Sequence, residues 1–134
     1  MARPKTYDQR MANLVLPEVR RLVGQIVQLS SMLPDLEDQH RVAQYKSARP
    51  AGGQEDADIA VTALDALHRT EDELRAAIAA LSDMDVHLKD AQIGLVDFLG
   101  HREGELVELC WKLGEESVTH WHRIGEGYQG RKPL

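Results

Sequence analysis

A chain of 134 residues, 43% hydrophobic but only 4% aromatic, is expected to fold as one domain around Leu, Val, Ile and Ala. A formal charge of −6 and a pI near 5.5 give a net field that repels polyanions, which argues against nucleic-acid and anionic-membrane partners. No apolar run approaches a membrane span, MARPKTYDQR lacks a secretory core, and Cys110 has no second cysteine to pair with, so a cytoplasmic setting is expected.

In chain order, Thr6-Tyr7-Asp8-Gln9 fits a capping box and predicts a short helix over about residues 7 to 15. Pro17, tolerated in a first turn and followed by Glu18, then opens a longer helix. Leu22, Ile26, Leu29, Leu33 and Leu36 form a seam at spacings of 4, 3, 4 and 3. Pro34 interrupts that seam and predicts a kink or break near Ser30 to Leu33, with helix resuming towards Lys46. Ser47 to Asp56, with Pro50, Gly52 and Gly53, reads as a flexible connection. From about Asp58 to Ser82 a further helix repeats Ala60, Ala63, Leu67, Thr70, Leu74, Ala77 and Leu81 on one face. Single leucine stripes without aromatic bulk predict a homodimer formed through the helices.

After Asp83 the period falls towards 2. Val86 to Leu88, Leu95 to Leu99, Leu106 to Leu113 and Val118 to Ile124 read as short antiparallel strands separated by Gly-containing turns. The segment Gly125 to Leu134 reads as irregular. Both tryptophans, the single cysteine, the single phenylalanine and four of the six histidines lie in this part of the chain.

A two-residue turn at Gly114-Glu115 would pair Leu113 with Glu116. That register puts Trp111 and Leu109 on one face with His120 and His122, and Cys110 on the other with Trp121. A three-residue bulged loop would instead bring Cys110 to the histidine face. His120 and His122 have the i, i+2 spacing that aims two imidazoles to one side of a strand. Such a pair can hold zinc or iron if Asp97, His101, Glu115 or Cys110 completes the set; the plainer reading is a hydrogen-bonded, half-buried His122 beside an exposed His120. Cys110 reads as a buried, inert thiol rather than a nucleophile, because no helix N-terminus or adjacent base lowers its pKa. Trp111 and Trp121 can present an aromatic recognition surface, although such residues more often anchor a small core. Gly125-x-Gly127-x-x-Gly130 matches a dinucleotide fingerprint only in its letters, because no βαβ unit follows. Arg131 and Lys132 beside these glycines could hold an anion.

The strings TYDQRMANLVLPEVRRL (6 to 22), GLVDF (94 to 98), LCWKLGE (109 to 115), WH (121 to 122) and GYQGRKPL (127 to 134) carry a resemblance. By them the chain resembles a bacterial family of small proteins catalogued only as a domain of unknown function. The resemblance covers most of the chain and implies Asp97, Cys110, Trp111, Glu115, Trp121, His122 and Arg131 as the residues to watch. The family pattern keeps an apolar or aromatic residue where this chain has His120, and often a proline at Leu99. It implies no activity.

The expected fold is α+β: a single domain over 1–134, in which a long antiparallel helical hairpin with a short N-terminal helix (about 6–82, loop 47–56) packs on a small antiparallel sheet (about 84–134). The expected function is a non-enzymatic module binding a ligand or protein partner through Asp97, Trp111, Glu115, Trp121, His122 and Arg131, without a cofactor. The alternative is a metal-dependent enzyme or metal sensor, with zinc or iron on His122, Asp97 and Glu115, and in its widest form Cys110 and His120.

Overall fold

A computed structural model describes residues 3–134; Met1 and Ala2, counted in the single-domain reading, lie outside the described residues. The architecture is α+β: two long helices, α1 (Gln9–Ala48) and α2 (Gln54–Asp83), precede an antiparallel sheet. Its strands are β1 (Val86–Asp90), β2 (Leu95–Arg102), β3 (Glu105–Lys112), β4 (His120–Arg123) and β5 (Lys132–Pro133), side by side in that order. By contacts the chain divides into two compact units, residues 28–76 and residues up to Val27 together with Ala77–Leu134. No helix among the described residues is long and apolar enough to cross a membrane.

In residues 28–76 the two helices form an antiparallel hairpin closed by a tight turn, with the Gly52 amide donating to the Arg49 carbonyl at 2.8 Å. Leu29, Ala43, Leu67 and Thr70 are buried in the seam, and Leu33, Leu36, Ala60, Ala63 and Leu74 are half-buried. The predicted stripe of α2 is therefore real, and it begins earlier, at Gln54.

The expected short first helix and the break at Pro34 are both corrected. One 40-residue helix runs through Pro17 and Pro34 without interruption. Both prolines lie on the exposed side, where the carbonyls they leave without a donor can be hydrated. The N-cap is also corrected. Asp8 Oδ1, not Thr6, accepts from a first-turn amide, that of Met11, at 2.7 Å. Tyr7 instead makes a parallel bridge to Gly100, its amide donating to the Leu99 carbonyl at 2.8 Å.

In the other unit the start of α1 supplies Ala12, Leu16, Val19, Leu22, Val23 and Ile26 as buried side chains. Alternation in the sheet supplies Val86, Val96, Phe98, Val107, Leu109 and Trp111, all at most 1% exposed. The two sets belong to one core: the Arg20 guanidinium lies 5.7 Å from the Trp111 ring. A Cβ on Gly94 would come within 2.8 Å of Val23 and 3.2 Å of Val27. Tyr7 meets Phe98 edge-on at 5.2 Å.

The β2–β3 hairpin closes on Glu103-Gly104, with φ of 53° and 80°, the paired positive values of a tight two-residue turn. Gly100, read as part of this turn, lies within β2. A Cβ there would sit 2.7 Å from the Tyr7 carbonyl, so the bridge to Tyr7 requires glycine. β1 carries an irregularity between Leu88 and Asp90, which leaves Lys89 without a partner in β2. The segment read as irregular after Gly125 contains a turn of 3-10 helix (Tyr128–Gly130) and the short β5.

Candidate functional site

The register of β3 against β4 decides what the site contains. Cys110 pairs with His120, Glu108 with His122 and Leu109 with Trp121. The expected two-residue turn is corrected to the odd parity: Cys110 shares a face with both histidines, and Trp121 joins Leu109 and Trp111 on the other. The cause is a long-range contact. The chain does turn at Gly114, with the Glu115 amide donating to Lys112 O at 3.0 Å. It then detours, because the Val118 amide donates to Asn13 Oδ1 at 2.7 Å and Asn13 Nδ2 donates back to Val118 O at 3.2 Å.

The face away from α1 carries polar groups in its centre. Asp97 of β2 lies opposite Cys110 of β3, and Glu108 of β3 lies opposite His122 of β4. Asp97, Cys110 and His122 are all at most 2% exposed, and their donor atoms lie within 4.8 Å of one another. His122 Nε2 is 3.0 Å from Asp97 Oδ1, and His122 Nδ1 is 2.8 Å from the Arg123 carbonyl. Both neighbours are acceptors, so both ring nitrogens donate when the ring is an imidazolium. Burial pushes the pKa of His122 down, but the bonds to Arg123 O and Asp97 outweigh it, and the net shift is upward. Burial and the Asp97 charge push the Cys110 thiol up to about 12, so the sulfur is held protonated.

Asp97, Glu108 and His122 form the floor of a cavity of about 230 Å³. Lys89 reaches into it, with Nζ 3.8 Å from Glu108 Oε2 and 4.0 Å from Asp97 Oδ2. Leu95 lines one wall, and Gly125, Gly127 and Tyr128 form the roof. Gly125 and Gly127 adopt φ of 91° and 76°, conformations that favour glycine and let the chain cross back over the sheet. The GxGxxG letters thus describe a roof.

The sequence-derived residues fall into four places. Asp97, His122 and Cys110 are brought together. Glu115 and Arg131 form a separate pair at 2.6 Å, with Glu115 Oε1 accepting from the Lys112 amide and the guanidinium 4.7 Å from the Tyr128 ring. Trp111 and Trp121 are on the opposite face: Trp111 is fully buried, and Trp121 is 9% exposed with Arg102, Arg123 and Lys132 around its ring. His120 is half-buried with Nδ1 2.9 Å from Thr119 Oγ1, outside the three-residue group. Arg131 and Lys132, considered above for an anion, are neutralised by Glu115 and Glu126. Lys89, Glu108 and Tyr128 were not singled out from sequence. Glu108 had a signal, a carboxylate two residues from Cys110 in an apolar strand.

No curated protein and no solved structure matches the chain. The chain belongs to the uncharacterised conserved protein family DUF2203, whose model matches residues 5–134.

Proposed function

We propose that this protein is a non-enzymatic binding module that takes a small polar ligand in the roofed cleft on the outer face of its sheet. One observation carries the reading: Asp97 and His122, both titratable and almost fully buried, form the floor of a cavity rather than part of a filled core. Burying charge is costly, and a structural role would be met more cheaply by apolar side chains of the same volume. The cleft offers carboxylates from Asp97 and Glu108 beside the ammonium of Lys89, which suits a ligand that both donates and accepts hydrogen bonds. The Cys110 thiol is buried and held protonated and both ring nitrogens of His122 are engaged, so neither is a ready nucleophile or base, which favours binding over catalysis.

The test uses glycine, acetate, imidazole and methylammonium as probes against 15N-labelled, chelator-treated protein. Saturable shifts at the amides of Lys89, Asp97, Glu108, His122 and Tyr128, lost in Glu108→Gln, support the reading. No response to any of the four probes would refute it.

The protein is further proposed to act as a homodimer through the hairpin. Val42, Tyr45, Ile59 and Val61 are 52–68% exposed on its distal part, where Val42 and Ile59 also line an open groove with Ala43 and Ala63. Light scattering at micromolar concentration should give about twice 15.0 kDa, and Ile59→Asp should halve that mass. A monomer in the unaltered protein would end this proposal.

A further inference from the structure

We infer that Asp97, Cys110 and His122 form a binding site for a divalent transition-metal ion of the zinc type. This rests on the cleft being a binding site and names a ligand for it. The three donor atoms come from three adjacent strands, β2, β3 and β4, whose register fixes them on one face. A thiol, an imidazole and a carboxylate together match the borderline-soft preference of zinc and of cobalt, its spectroscopic substitute.

The distances fit with small side-chain adjustments. At bond lengths of about 2.3 Å to sulfur and about 2.0–2.2 Å to nitrogen and oxygen, a tetrahedral ion separates its ligand atoms by about 3.4–3.6 Å. Here the imidazole and carboxylate are 3.0 Å apart and the whole set lies within 4.8 Å.

The Arg123 carbonyl stands where a metal-bound His122 needs an acceptor for its other ring nitrogen. When His122 Nδ1–H donates to the Arg123 carbonyl at 2.8 Å, the Nε2 lone pair is aimed at Asp97 Oδ1. A lone pair and a carboxylate facing each other at 3.0 Å repel unless something positive lies between them. A proton or a metal ion can fill that place. On metal binding the Nε2 proton and the Cys110 thiol proton leave to solvent, and one M²⁺ ion takes their place. Sulfur, nitrogen and oxygen each then donate one electron pair, and no oxidation state changes. Glu108, 13% exposed and opposite His122, lines the adjoining cavity together with Asp97 and His122.

The experiment titrates Co²⁺ into full-length, chelator-treated protein and records its absorption. One equivalent should produce the near-ultraviolet thiolate-to-cobalt charge-transfer band together with the intense visible bands of a four-coordinate ion. Zn²⁺ should displace the Co²⁺ and bleach both. Cys110→Ser should lose the charge-transfer band while keeping its circular dichroism spectrum, and His122→Gln should weaken Co²⁺ binding at least tenfold. The unaltered protein decides the matter even if a variant fails to fold: absence of the thiolate band at saturating Co²⁺ would overturn the site. If the cleft amides respond to the organic probes while Co²⁺ gives no thiolate band, the metal inference falls and the binding-module reading stands. A thiolate band without any response to the organic probes removes that reading and leaves a metal site alone.

Discussion

Trp111→Ala is expected to lower the unfolding free energy by about 3–5 kcal/mol, and Trp121→Ala by distinctly less. Trp111 is fully buried where the sheet meets α1, and its indole Nε1 donates to the Glu115 carbonyl at 3.1 Å. Truncation empties a large volume in the core and frees the loop that sets the β3–β4 register. Trp121, 9% exposed, lies on the same face near the β5 edge, where three cationic side chains stand 4.8–5.5 Å from its ring. Solvent can partly refill that site. Urea denaturation of both variants checks the ranking; equal and small shifts in midpoint would contradict it.

The second large effect concerns the buried pair. Asp97→Ala should cost about 3–5 kcal/mol near pH 6, because it leaves the His122 imidazolium buried without its counter-ion. The pH dependence has a definite sign. The folded pKa of His122 is raised above its unfolded value, so the folded state binds the proton more tightly. The resulting stabilisation is fully present below the unfolded pKa of about 6.5 and is lost as pH rises through the folded pKa. Asp97 and Glu108 favour the charge of the ring, Cys110 lies beside it, and the Lys89 ammonium faces both carboxylates at 4.0 and 3.8 Å. Chelator-treated protein should therefore lose stability between mildly acidic and mildly alkaline pH. His122→Gln should flatten that slope. A slope unchanged in His122→Gln would show that the dependence arises elsewhere.

How far the sequence carried the fold depends on whether a feature is local. The stripe from Ala60 to Leu81 was legible because each of its residues recurs on one helix face, and all seven are buried or half-buried. The strands were legible from alternation, His122 was raised by its i, i+2 spacing from His120, and Asp97 by the family resemblance. Pro17 and Pro34 were misread because a proline's effect depends on which side of the helix it occupies, and that side is set by tertiary packing. Of the two faces the sequence left open to Cys110, the one given by a bulged loop is found because Asn13, 105 residues before Val118, holds that residue and lengthens the β3–β4 connection. No reading of LCWKLGEESVTHWH by itself contains that bond. The roof was missed for a similar reason: its glycines signal unusual backbone, but the side of the sheet they cross is decided by β5 pairing with β4.

The margins of the sheet bear on how this protein can meet another. β1 presents an irregular margin carrying His87, Lys89 and Asp90, where the unpaired Lys89 breaks the ladder. At the opposite margin β5 is two residues long and ends in Pro133, which has no amide proton to offer. Neither margin is a good template for an incoming strand. Assembly by shared β-ladder, with its attendant risk of open-ended polymerisation, is thereby disfavoured.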